Sequence, residues 1–204
     1  MEIIMEEIEV RDELVFIKKV IEDSRRMIVY DGNEFVVWGI LTTVGMIAMY
    51  VNIVFQYHMT PLIIWGILIG TGWVYSLIRG VVVHRRSHIK TFAGKVISSV
   101  WLSCGIVMTL IGFAMPALGV IKGWEIMPLI ALVTGIAYFI TSIVITEKWI
   151  RYSAYGWWIG AMLIAAFPGQ YIFLVYAGMM ICFQIVPGII LQQRYKNQFV
   201  KQDA

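Results

Sequence analysis

The chain has 204 residues, of which 60% are hydrophobic and 14% charged, about half the charged quarter usual in a soluble domain. A mean hydropathy of +0.80 over the whole length, with 14% aromatic residues, excludes a soluble globule with one apolar tail and a disordered or fibrous chain. The composition reads as an all-α, polytopic membrane protein, too short for two sizeable domains.

Charge is unevenly placed. Residues 1–34 hold ten acids and five bases, a net of −5, and residues 35–204 hold three acids and eleven bases, a net of +8. The basic part is also the apolar part, so its charges are read against a bilayer and not against nucleic acid.

Residues 1–33 form the first unit, a cytoplasmic amphipathic helix of coiled-coil character. Val10, Leu14, Ile17 and Ile21 follow a 4-3-4 spacing, with Ile3 and Ile28 in register. Glu7 and Ser24 interrupt that seam, and Val15, Phe16 and Val20 widen its apolar face. Glu6, Glu7, Glu9, Asp12 and Glu13 make the first half acidic, which disfavours lying on an anionic leaflet. Self-association or docking to a cytosolic protein is favoured over packing beneath the chain's own spans. The segment lacks the basic start and small-residue cleavage site of a secretory signal.

Residues 34–193 form the second unit, a bundle of six transmembrane helices. Spanning a hydrocarbon core of about 30 Å takes roughly 20 helical residues. Between Glu34 and Arg79 lie 44 residues without Asp, Glu, Lys or Arg, enough for two spans at 35–55 and 61–82, the second opened by Pro61. The uncharged stretch 96–121 gives a span at 97–121, and 126–146 one at 127–146. The last uncharged stretch, 152–193, is broken by Phe167-Pro168-Gly169-Gln170 into spans at 153–167 and 170–191. Residues 194–204 are a cytoplasmic tail. Pro187, deep in the sixth span, lacks a backbone donor and predicts a kink or an early end there.

Basic residues set the orientation. With the N-terminus inside, fifteen bases fall on the cytoplasmic side and Lys122 alone lies outside, so both termini are expected in the cytoplasm of a bacterial inner membrane. Trp38, Trp101 and Trp157 each sit early in an odd-numbered span, where interfacial anchoring is the default role. A bound aromatic or porphyrin ligand is the sharper alternative. Cys104 and Cys182 lie in apolar runs and read as buried free thiols acting as small hydrophobes.

Similar words recur along the spans: Trp38-Gly39, Trp101 with Gly105 and Trp157 with Gly160, then Pro61-Leu62-Ile63 and Pro128-Leu129-Ile130. Three same-way-up helical hairpins would account for them, as would composition bias. Gly66-x-x-x-Gly70 and Gly156-x-x-x-Gly160 match the spacing that lets helix backbones approach. Packing within the chain is their first reading, and lining of a narrow apolar cavity the other.

None of the six cores contains Asp, Glu, Lys, Arg or His, and Arg79 at an inner end can snorkel. That removes the carboxylate of a proton-coupled transporter and the axial histidines of a haem bundle. No His-Glu-x-x-His run, phosphate loop or Ser/His/Asp set is present. No enzyme activity, catalytic residue, cofactor or metal site is therefore expected. In the second loop Arg85, Arg86, Lys90 and Lys95 could hold anionic lipid headgroups, at roughly 1 kcal/mol each, or only fix topology.

Glu22-Asp23-Ser24-Arg25-Arg26, then Gly32, then Phe35-Val36-Val37-Trp38-Gly39 resembles the opening of an uncharacterised family of bacterial six-span membrane proteins. Lys90-Thr91-Phe92 before Val100-Trp101, Gly135-x-x-x-Phe139, and Val186-Pro187-Gly188-Ile189-Ile190-Leu191 extend the resemblance over most of the length. It implies a six-span layout and no assigned activity, and, since some members are encoded beside winged-helix regulators, a regulatory or envelope-response setting.

The expectation is a non-enzymatic membrane sensor, scaffold or regulatory subunit that contacts membrane lipids and, through its N-terminal helix, forms a homo-oligomer or docks a cytosolic protein. The alternative is a small transporter or channel for an uncharged solute or lipid.

Overall fold

The computed structural model describes residues 32–86 and 92–200. Val10, Leu14, Ile17, Ile21 and Lys90 lie outside the described residues, as do the side chains of Arg85 and Arg86.

Every described element is helical, with no strand among the described residues. Helix α1 is Asn33–Val54 and α2 is Pro61–Arg86. Helix α3 runs as Phe92–Thr109, a π turn at Leu110–Ala114 and a last stretch Met115–Ala117. A 3-10 turn, Gly123–Glu125, leads into α4, Ile126–Val144. Helix α5 is Lys148–Ala166. Helix α6 runs as Ile172–Met180, a π turn at Ile181–Ile185, and Val186–Val200.

Five stretches are long and apolar enough to cross a membrane: Asn33–Val54, Pro61–Val82, Ala93–Ala117, Gly123–Val144 and Ile172–Arg194. Helix α5 has 19 residues but carries Lys148 and Arg151 in its first turn, five residues before the start expected for the fifth span. Its Ile150, Ala154, Trp157 and Ala161 are fully buried, and Tyr152, Ile159 and Met162 face outward.

Local chemistry explains the ends. Helix α1 starts from Gly32 in the left-handed region, φ 67°. At its far end Asn52 spans the next loop: its Nδ2 donates to the Met59 carbonyl at 2.9 Å and its Oδ1 accepts the Met59 N–H at 2.9 Å. Pro61 then opens α2, where a missing N–H costs nothing. Helix α3 ends on Gly119, φ 71°, with the Val120 N–H donating to Met115 O at 2.9 Å and the Gly119 N–H to Pro116 O at 3.0 Å. That pair of bonds is the Schellman arrangement, which satisfies the last carbonyls of a helix.

Both π turns stand in the same relation to a proline. Leu110 is six residues before Pro116, and Ile181 six before Pro187. A proline removes one N–H and crowds the carbonyl four residues back, and an i→i+5 register absorbs both. The Met115 N–H accordingly donates to Leu110 O, and the Val186 N–H to Ile181 O. The expected early end at Pro187 does not occur: α6 continues to Val200, and the disturbance lies in the turn upstream.

Helix α1 packs on α2, α3 on α4, α4 on α5 and α5 on α6, and α6 packs back along α1, while α2 meets α3 through Trp73. Tryptophans seated on glycines of adjacent helices make several of these contacts. A Cβ on Gly72 of α2 would come within 2.6 Å of the Trp38 ring, and one on Gly45 of α1 within 2.8 Å of Trp65. Trp73 of α2 lies 3.3 Å from the same point on Gly105 of α3, and Trp158 of α5 covers Gly135 of α4. The glycines thus act between helices, where flat backbone admits an indole. Gly66 and Gly70 do not: nothing lies within 4 Å of a Cβ on either, so this motif is not used for packing within the described residues. Leu62, Ile63, Ile67, Leu77 and Ile78 on the same helix are more than half exposed, an apolar surface outside the bundle.

Candidate functional site

Four consecutive residues at the start of α1 reach four other helices. Gly32 touches Gly188 of α6 backbone to backbone. The Asn33 side chain accepts a hydrogen bond at 2.6 Å from Gln192 Nε2, one turn further along α6. Glu34 turns to α2: its Oε2 accepts from Ser76 Oγ at 2.8 Å, and its Oε1 lies 3.5 Å from Arg79 Nε. Phe35, 2% exposed, reaches α3 and α4, with its ring centroid 4.9 Å from Trp101 and 5.1 Å from Tyr138. Four residues therefore bind the start of α1 to α2, α3, α4 and α6.

The helical period makes this arrangement. Successive residues on a helix start are turned by about 100°, so positions 33, 34 and 35 face three directions. Glycine at 32 and 188 removes the side chains that would hold α1 and α6 apart. Arg79, expected to snorkel, instead pairs with Glu34, and its Nη1 donates to Tyr75 OH at 3.1 Å. The Glu34 and Arg79 side chains are 21% and 20% exposed, shielded enough for the pair to matter more than one in bulk water.

Indole N–H groups bridge the helices at this end. Trp38 Nε1 donates to Ser76 Oγ at 2.9 Å, so the hydroxyl that bonds Glu34 also holds Trp38. Trp101 Nε1 donates to Thr141 Oγ1 at 3.0 Å, and Thr141 in turn donates to Ala137 O at 2.7 Å. Trp73 and Thr109 repeat the scheme between α2 and α3, at 3.2 Å, with Thr109 donating to Gly105 O. Thr141 and Thr109 each donate within their own helix and accept from the neighbouring indole, whereas Ser76 donates to Glu34 of α1 while accepting from Trp38. Trp157, expected to anchor at the interface, is instead 0% exposed, while Trp38 and Trp101 are half-buried with their indole N–H groups bonded to neighbouring helices.

The first two expected hairpins share one device, Trp38 with Ser76 and Trp101 with Thr141. The third differs. Trp157 of α5 packs against Tyr176 of α6 with the rings tilted, centroids 5.5 Å apart, and neither Trp157 Nε1 nor Tyr176 OH has a hydrogen-bond partner among the described residues. A buried donor left unpaired costs on the order of 1–3 kcal/mol.

Two further contacts close the same end. Arg194 of α6 bonds Glu147 at 2.8 Å and lies over the Trp149 ring, 5.5 Å from its centroid. Arg151 of α5 donates through Nε to Ser142 Oγ at 3.3 Å and covers Phe139 at 5.4 Å.

Of the residues expected to contact anionic lipid, Lys95 is exposed on the first turn of α3. Cys104 and Cys182 are free, the first half-buried and the second exposed, so the thiol at 182 is not the buried group expected. The hub itself is faint in the sequence. Glu34 marks the last acid before the long uncharged stretch, and Gly32 and Trp38-Gly39 flank it, but nothing in the spacing pairs them with Ser76, Arg79 or Gly188.

No family model, curated protein or solved structure matches the chain.

Proposed function

We propose that this is a non-enzymatic, multi-pass protein of a bacterial inner membrane, a sensor, scaffold or regulatory subunit that couples its bundle to its N-terminal segment. The observation that carries this is the hub: Gly32, Asn33, Glu34 and Phe35, the first described residues after that segment, engage four other helices. A change in how residues 1–31 are held would be felt at once by α2, α3, α4 and α6, and a change in helix packing would be felt by the segment. Such coupling needs two arrangements of a packed element that both ends bias.

Helix α5 completes the six spans in this proposal as the fifth in chain order, its Lys148 and Arg151 lying at the cytoplasmic headgroups with both termini on that side. The bias of fifteen bases to one supports the orientation. The seam of Val10, Leu14, Ile17 and Ile21 is the surface for a second copy of the chain or a cytosolic protein, and Arg85, Arg86, Lys90 and Lys95 contact anionic lipid. Membership of the uncharacterised six-span family belongs to the same proposal.

The test is the native mass of the full-length protein in nanodiscs beside the double variant Leu14→Asp, Ile17→Asp. A dimer or larger assembly that becomes monomeric in the variant supports the N-terminal seam as the assembling device. An unchanged mass removes that device. The second reading, a transporter or channel for an uncharged solute or lipid, is favoured by the absence of any ionisable side chain deep in the spans. It requires flux across liposomes that survives removal of residues 1–30.

A further inference from the structure

Trp157 and Tyr176 are among the most deeply buried side chains of the protein, at 0% and 1% exposure. They come from neighbouring helices, and their rings lie 5.5 Å apart at an interplanar angle of 59°. Each carries a hydrogen-bonding atom without a partner among the described residues. Elsewhere the same fold supplies such groups: Ser76 for Trp38, Thr141 for Trp101, Thr109 for Trp73, and the Leu132 carbonyl for Trp158. Two atoms without a partner among the described residues, on rings packed against each other in an apolar interior, depart from that pattern, and buried polar groups are rarely left so.

The packing around them is adaptable. Met46, Met127, Met179 and Met180 belong to the same buried cluster as Trp157 and Tyr176. Met179 lies against Gly160, one turn from Trp157. Methionine is unbranched and polarizable and repacks around irregular shapes at low cost. On the far side of Met180 the π turn of α6 begins, and π turns occur often at functional sites.

We propose that the α5–α6 interface is a binding site for one small neutral guest whose oxygen accepts the Trp157 indole N–H and pairs with the Tyr176 hydroxyl. The indole can only donate, so the guest must present an acceptor. No Asp, Glu, Lys, Arg or His is among the buried residues described, which requires the guest to be uncharged. A water molecule and an apolar molecule drawn from the bilayer through a carbonyl or hydroxyl oxygen share this chemistry. The site is independent of whether residues 1–31 dock a partner.

Full-length protein is purified in mild detergent and examined by native mass spectrometry and by NMR of ¹⁵N-labelled tryptophan indoles. Trp157→Phe assigns the indole resonance, and Tyr176→Phe, which removes one oxygen from a fully buried ring, keeps the proposal testable should the first variant misfold. An adduct on the wild type that Tyr176→Phe loses identifies a bilayer-derived guest. No adduct, with magnetisation transfer from water to the Trp157 indole proton, identifies water. In either case Tyr176→Phe lowers the melting temperature, because the guest loses a partner. Neither an adduct nor water transfer, together with a raised melting temperature in Tyr176→Phe, overturns the proposal.

Discussion

Gly32 and Gly188 meet backbone to backbone where α1 leaves the N-terminal segment. A Cβ on Gly32 would collide with the Gly188 carbonyl oxygen, and one on Gly188 would lie 2.8 Å from Val36 Cγ2 and 3.1 Å from the Gly32 oxygen. Gly32 also holds φ at 67°, which costs an L side chain roughly 1–2 kcal/mol. Gly32→Ala combines strain with the clash and should destabilise the bundle by about 2–4 kcal/mol, and Gly188→Ala by about 1–3 kcal/mol. Thermal unfolding in detergent measures both. Unchanged melting of Gly32→Ala would show that α1 and α6 do not meet in this way.

The two glycine motifs predict opposite signs. Gly156→Ala drives a Cβ to within 2.6 Å of the Phe183 ring, a rigid neighbour, and should cost about 1–3 kcal/mol. Gly160→Ala meets the end of Met179 and should cost less, since that chain can turn away. Gly66→Ala and Gly70→Ala meet nothing and should each stabilise the isolated bundle by up to about 1 kcal/mol through helix propensity. If the open face of α2 is where copies of the chain meet, the same two changes weaken the assembly, and native mass separates the effects.

Ser76 and Thr71 lie on the same helix, but their hydroxyls differ in consequence. Ser76 Oγ accepts from Trp38 and donates to Glu34, whereas Thr71 bonds only the Ile67 carbonyl, in an exposed position. Ser76→Ala leaves two partners short and should cost about 1–3 kcal/mol. Thr71→Ala should change melting by less than about 0.5 kcal/mol. Equal effects would show that the Glu34–Ser76–Trp38 chain is not formed.

Glu34 and Arg79 should couple. Arg79→Leu leaves a part-buried carboxylate facing an apolar side chain, so it should cost more than Arg79→Leu combined with Glu34→Gln. A double-mutant cycle on unfolding in denaturing detergent reads the difference, expected at about 0.5–2 kcal/mol. Strict additivity would reduce the pair to a surface contact.

Much of the architecture was legible because a bilayer asks simple things of a sequence. Runs of about 20 apolar residues mark helices, and the starts at Pro61 and the breaks at Gln56–His58 and Pro168 needed only local chemistry. Helix α5 escaped that rule in part: one face packs on α4 and α6, where Arg151 meets Ser142 and Phe139 and Trp157 is fully buried.

What the amino-acid sequence determined by itself was the helical class, the apolar stretches and the uneven placement of charge along the chain, because each depends on residues close together in the chain. Tertiary structure decided which glycines receive tryptophans, that Arg79 turns to Glu34, that Pro187 produces a π turn within a continuing helix, and that Trp157 and Tyr176 face each other unpaired. These outcomes depend on contacts between residues up to 159 positions apart, as with Gln192 and Asn33. No spacing within one helix records which face its neighbour will present.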